Sequence, residues 1–263
     1  MSPRHNYTKD GEPAYDLGKR EVVKEGNIFS VTEQLRVIAN PGIAAGQKYA
    51  LVAAIKNMLP PKAHELIGDW GAFMSTVYGA ADEPSKIARE RGTAVHNQIE
   101  KHLNNLTCDA SDPCVAQLVK WVDDCVTEVF WAEAVLVEDS FRWAGKGDCF
   151  GTVNIPGELE GDFLIDWKTG KWKRNTKGIL KPRWWDSYCY QLAAYRHCMD
   201  RKDEIGCLSV AICTNAEEGE EQPPVAVKQW SEEELARGLE VMNLSSQLFA
   251  ILEKYDSSEL QMN

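Results

Sequence analysis

The stretch from 145 to 169, GKGDCFGTVNIPGELEGDFLIDWKT, constrains the fold more than any other part of the chain. Two runs of alternating character flank Pro156-Gly157-Glu158, residues suited to a turn. A two-residue period suits strands and not helices, so these runs predict strands over 146–154 and 162–167. In the second run Phe163, Ile165 and Trp167 share one face, while Leu164, Asp166 and Lys168 share the other. Asp166 and Lys168 are then about 6.6 Å apart along the strand, two residue rises on the same side. Asp148 in the first run supplies a second carboxylate from the neighbouring strand. Two carboxylates suit a hard divalent cation such as Mg²⁺ or Mn²⁺. A lysine beside them can position or deprotonate a water, which is the minimum set for metal-assisted phosphodiester hydrolysis.

The segments before this pair read mostly as helices. Residues 1–27 lack periodicity and are expected to form an extended or partly ordered lead-in. Ser30 or Thr32 can cap a helix carrying Leu35, Val37 and Ile38, which Asn40-Pro41-Gly42 stops. Further helical segments are expected over 44–59 and near 63–78. Pro84-Ser85 is expected to open a stronger helix, with Ile87, Val95, Ile99 and Leu103 as its buried stripe. Its His96 shares a face with Gly92 and Glu100. From the helix alone, a half-buried structural histidine is the simpler account. Asp112-Pro113 opens another helix carrying Val115, Leu118, Val119, Val122, Val126 and Val129, and 134–143 is strand-like.

After the pair, residues 168–183, KTGKWKRNTKGILKPR, hold seven Lys or Arg and no acid. The chain as a whole carries a net charge of −11, which argues against coating nucleic acid through bulk charge. The local reversal therefore matters. Lys171, Lys173, Arg174, Lys177, Lys181 and Arg183 could hold a phosphate backbone while Trp172, Trp184 or Trp185 stack on unpaired bases. A solvated loop that only aids solubility is the alternative. A helix over 186–199 places Gln191 and Tyr195 on one face. Strands follow at 205–214 and 225–230, and Ser231-Glu232-Glu233-Glu234 reads as a capping box opening a helix to about Tyr255.

No apolar run reaches the roughly 18 residues of a membrane span, and the polar N-terminus lacks the apolar core of a signal peptide. The expectation is a cytoplasmic protein that does not enter membranes. None of the eight cysteines forms a C-x-x-C pair, so reduced thiols are expected rather than a disulfide framework or a metal–sulfur site.

The order of these pieces resembles the RecB-like branch of the PD-(D/E)XK nuclease superfamily, including phage-type and mitochondrial genome-maintenance exonucleases. A helix with His96 comes first, then Gly145-Lys146-Gly147-Asp148, then Asp166-Trp167-Lys168-Thr169, then a helix with Gln191 and Tyr195. The resemblance spans residues 85–215, and the lead-in FSVTEQLRVIANPG is similar to the opening of phage-type members. It implies an α/β restriction-endonuclease-like core with a central mixed sheet flanked by helices. A helical N-terminal extension or cap would occupy 1–84, and the core with its C-terminal helix 85–263.

The resemblance further implies that His96, Asp148, Asp166 and the Trp167 carbonyl hold one or two Mg²⁺ or Mn²⁺ ions. Lys168 would be the catalytic lysine, with Gln191 and Tyr195 orienting it, the water or the phosphate. Glu100 matches an acidic position one turn after the histidine. No cysteine precedes His96, so no iron–sulfur cluster is expected. The implied activity is a DNA exonuclease in phage or genome recombination, repair or processing, placed in the host cytoplasm if viral. DNA, single-stranded or with duplex ends, would be its substrate, and a recombination protein such as a single-strand annealing or binding protein a partner. An endonuclease, a nucleic-acid-binding module of the same fold without turnover, and a hydrolase of small phosphoesters are the alternatives.

Overall fold

A computed structural model describes residues 6–14, 27–38, 50–51, 54–55, 70–140, 142–216 and 223–253. Two compact units emerge, one of residues 1–37 with 95–263 and the other of 38–94. The expected helix over 44–59 and the end of the C-terminal helix near Tyr255 lie largely outside the described residues.

The larger unit is a mixed α/β structure around a five-stranded sheet ordered β3-β4-β5-β8-β9. Strands β3 (Val126–Val137), β4 (Ala144–Ile155) and β5 (Leu159–Gly170) form an antiparallel meander. Strand β8 (Gly206–Cys213) lies parallel to β5, and β9 (Ala226–Trp230) antiparallel to β8. A parallel neighbour requires a crossover, and the path from β5 to β8 includes α4 (Asp186–His197). Before the sheet come α2 (Trp70–Leu103) and α3 (Pro113–Cys125), and after it α5 (Glu232–Glu253).

Alternation along β5 decides which helices cover which face. Phe163, Ile165 and Trp167 pack with Leu208, Val210 and Ile212 of β8, Val95 and Ile99 of α2, and Val115, Leu118 and Val122 of α3. Leu164 packs on the other side with Cys207, with Cys189 and Leu192 of α4, and with Leu235 and Met242 of α5. Each fully buried aliphatic side chain of this kind contributes about 1.5–3 kcal/mol of transfer free energy. Ser231 closes the expected capping box: its hydroxyl accepts from the Glu234 N–H at 3.2 Å, while its own N–H donates to the Glu234 carboxylate at 2.9 Å.

One local expectation is made specific and two are corrected. First, part of the lead-in is regular: β1 (Asn6–Tyr7) pairs with β2 (Ile28–Phe29), and Tyr7, Ile28 and Phe29 pack with Ala144 and Phe249. Ser30 then caps the short α1 (Val31–Gln34), accepting from the Glu33 N–H at 3.2 Å. Second, the helix expected from Ser85 already runs from Trp70, with Pro84 inside it. Proline removes one backbone donor and disfavours but does not forbid a long helix. Third, Val126 and Val129 belong to β3, not to α3. Irregularities in the β3–β4 register between Val126 and Glu128 and between Val129 and Trp131 shift the two-residue alternation there.

Candidate active site

The β4–β5 ladder runs from Ile155–Leu159 to Cys149–Ile165 and goes no further. One position beyond, Asp148 accepts a hydrogen bond from the Trp167 N–H at 2.8 Å through its side chain. A carboxylate thus replaces the next rung of the ladder, and the strands part where Asp148 and Asp166 face each other. The same arithmetic applies on the other side of β4. Ala132 pairs with Cys149 and Ala134 with Gly147, so Glu133 stands across from Asp148. Glu133, Asp148 and Asp166 therefore form a row across three adjacent strands.

His96 of α2 reaches this row from the helix layer that carries Val95 and Ile99. Its Nδ1 lies 3.7 Å from Asp148 Oδ2. His96, Glu133 and Asp148 each offer one ligand atom, all within 4.8 Å of one another. Burial lowers the His96 pKa below its ordinary value, and the Lys168 charge lowers it further. Asp166, Glu133 and the Trp167 backbone oppose them. His96 is therefore a neutral imidazole at pH 7, the state in which a ring nitrogen can bind a cation.

Asp166 is 3 % exposed. Its Oδ1 accepts from Lys168 Nζ at 2.6 Å, while its Oδ2 is buried and has no hydrogen-bond partner among the described residues. A buried carboxylate oxygen left unpaired is costly. Burial pushes the Asp166 carboxyl up to about 6; Lys168 opposes the rise and Asp148 adds to it. Burial likewise raises Asp148 and Glu133, against the pull of Lys168 and the Trp167 N–H for the one and of Lys146 for the other. For Lys168, burial alone would lower the pKa. The neighbouring Asp166 and Asp148 more than offset it, so the ammonium stays charged.

The α4 side orders the lysine. Lys168 Nζ donates to Gln191 Oε1 at 3.2 Å, and Gln191 Nε2 donates to Tyr195 Oη at 3.2 Å. The Tyr188 ring lies under the ammonium with its centroid at 4.8 Å. The relay depends on Gly145, because a Cβ there would run into the Tyr195 ring. Gly147 answers to Trp131 in the same way, a Cβ there meeting the indole at 2.9 Å. The two glycines of Gly-Lys-Gly-Asp thus make room for the Tyr195 and Trp131 rings.

Of the expected residues, His96, Asp148, Asp166, Trp167, Lys168, Gln191 and Tyr195 are brought together. Glu100 is half-buried on the next turn of α2 and is not one of the mutually close ligand groups. Glu133 is the residue that sequence reasoning missed. Its one signal was an acid inside the apolar run FWAEAVLV.

The basic segment forms a hairpin, β6 (Lys173–Arg174) with β7 (Leu180–Lys181). Lys171, Lys173, Arg174, Lys177, Lys181 and Arg183 are exposed. Trp172 is not available for stacking: it is 7 % exposed and packs with Leu180, Ala211, Cys213 and Trp184. The Asn215 side chain fixes it, accepting from the Trp172 N–H at 2.7 Å. The half-buried Trp185 carries the Arg183 guanidinium 3.5 Å over its ring. Beside the hairpin, Trp172, Arg174, Lys181, Trp184 and Pro223–Pro224 line a cavity of about 520 Å³.

The close group of His96, Glu133 and Asp148, one imidazole and two carboxylates, suits Mg²⁺ or Mn²⁺, and Asp166 stands next to it without being one of the mutually close ligand groups. The unpartnered Asp166 Oδ2 is the feature a cation would satisfy. No family model matches the chain, and no curated protein matches it. Among the described residues no helix is long and apolar enough to cross a membrane.

Proposed function

We propose that this chain is a Mg²⁺- or Mn²⁺-dependent deoxyribonuclease built on a PD-(D/E)XK core, acting as an exonuclease. The observation that carries the proposal is the approach of His96 to Asp148 next to the half-unpaired Asp166, which is bound to a lysine held in its charged form. Their order along the chain, with Gln191 and Tyr195 behind the lysine, is that of the RecB-like branch.

His96, Asp148 and Asp166, with the Trp167 carbonyl, would hold the cation. Bound there, it would supply positive charge at the phosphoryl group and an acidified water. The chain's own groups do the rest. Lys168 has three N–H donors and uses two of them on Asp166 and Gln191. The third can meet a phosphoryl oxygen as negative charge grows in the transition state. Because the lysine is charged, it acts as a donor and positions the water; it does not take up the proton of that water. Gln191, anchored on Tyr195, fixes the direction of the ammonium. The exposed cations of the β6–β7 hairpin would track the phosphate backbone. A recombination or repair role, a single-strand annealing or binding protein as partner, and a cytoplasmic site of action belong to the same proposal.

The test is incubation with end-labelled linear DNA, single- and double-stranded, and with closed circular DNA, with and without Mg²⁺ or Mn²⁺. Cation-dependent degradation of linear DNA with the circle untouched is expected. Cutting of the circle would make the chain an endonuclease. No cleavage, with DNA still bound, would reduce it to a binding module.

A further inference from the structure

Glu133 is one of the three mutually close ligand groups and is paired with Lys146, yet neither residue has a role in the mechanism above. Glu133 Oε2 meets Lys146 Nζ at 2.5 Å. The Glu133 side chain is 12 % exposed, and Lys146 is 38 % exposed. Glu133 also holds a left-handed backbone, φ 57°, inside a strand. That region is uncommon for a residue with a Cβ, and such strain gathers at functional sites. The carboxylate thus has two suitors: the ammonium on one side, and on the other the space it shares with His96 and Asp148. Independently, Asp166, in electrostatic contact with Asp148 and His96, has a buried Oδ2 with no hydrogen-bond partner among the described residues, an oxygen short of a cation beside that group.

We propose that Glu133 exchanges Lys146 for the bound divalent cation, and that the released Lys146 then takes a phosphate of the DNA. Lys146 sits two residues before Asp148 on β4, on the same strand face, so it lies beside the reacting position and remains partly open to solvent. Without a cation, the pair holds Glu133 neutralised and Lys146 occupied. With one, a carboxylate joins the site and a positive charge is freed where a polyanion must bind. Cation and DNA binding become coupled in both directions, as linkage requires. This inference rests on the proposed cation site.

Three proteins test it: wild type, Glu133→Gln and Lys146→Met, each first shown to be folded by circular dichroism. Mn²⁺ binding is measured calorimetrically without DNA. Binding of a fluorescein-labelled oligonucleotide is followed by anisotropy across a salt series, in EDTA and in Ca²⁺. Glu133→Gln should weaken Mn²⁺ binding by roughly tenfold or more, yet tighten oligonucleotide binding in EDTA, because Lys146 is released. Lys146→Met should tighten Mn²⁺ binding. In Ca²⁺ it should reduce the slope of log K against log salt by about one, with little change in EDTA. An ion pair that only supports the fold would produce neither the opposed effects of Glu133→Gln nor a slope change confined to Ca²⁺. Equal Mn²⁺ affinity in wild type and Glu133→Gln would overturn the exchange while leaving the cation site intact. The same slope change in EDTA and in Ca²⁺ would overturn it as well. Failure of wild type to bind Mn²⁺ at all would instead remove the proposed function, and this inference with it.

Discussion

Asp166→Asn should change how the cation-free protein responds to pH. Burial raises the Asp166 carboxyl from its ordinary 3.8 to about 6. As pH rises from about 4 to about 6, the unfolded chain gives up this proton while the folded chain keeps it. The folded state is therefore penalised as pH increases, and above pH 6 the full penalty is present. A shift of about two units is worth about 3 kcal/mol, of which roughly half falls between pH 5 and pH 8. With about 2–4 °C per kcal/mol for a chain of this size, the effect is roughly 3–6 °C in Tm. The substitution also leaves Lys168 without its carboxylate, but Lys168 stays charged across this range, so that loss cancels in the comparison between pH values. Thermal melts in EDTA of wild type and Asp166→Asn at pH 5 and pH 8 give the double difference. Relative to wild type, the variant should gain about 3–6 °C on going to pH 8. The same offset between the two proteins at both pH values would refute the buried, unpaired carboxylate.

Mn²⁺ at pH 8 and a hundredfold excess over Kd should stabilise wild type by about 2.7 kcal/mol, a rise of about 5–11 °C in Tm, and this gain should be largely lost in Asp166→Asn melts. Lys168→Met should keep its circular dichroism spectrum and lose at least about a hundredfold in kcat, as expected for a lost transition-state donor; turnover close to wild type would contradict its role. Gly145→Ala should force Tyr195 aside, costing about 1–3 kcal/mol in denaturant unfolding and lowering kcat through Gln191. Replacing the exposed Lys171, Lys173 and Lys177 together by Gln should reduce the salt slope of DNA binding by about three without changing Tm.

Much of the site could be read from side-chain alternation. The Asp166–Lys168 spacing and its face follow from the two-residue period of β5, and helical spacing gives Gln191 with Tyr195. The capping box at Ser231 is local chemistry and forms as written. What escaped depends on tertiary geometry. Glu133 carries no motif; its place opposite Asp148 follows from a register that the irregularities of β3 hide, and its positive φ has no sequence signature. Those irregularities also made Val126 and Val129 look helical, since the spacing Val122-Val126-Val129 matches a helix face. Trp172 read as a stacking residue because its neighbours are cations, yet Asn215, far along the chain, fixes its backbone beside β8. The recruitment of Tyr7 into the core is equally non-local, resting on β2 and Phe249.

The central claim is that His96, Asp148 and Asp166 share a cation beside Lys168. Anomalous diffraction from crystals soaked in Mn²⁺ tests it directly. One strong peak within ligand distance of His96, Asp148 and Asp166 is the predicted result. A map with no peak among these side chains, from crystals in which Mn²⁺ is seen elsewhere, would contradict it.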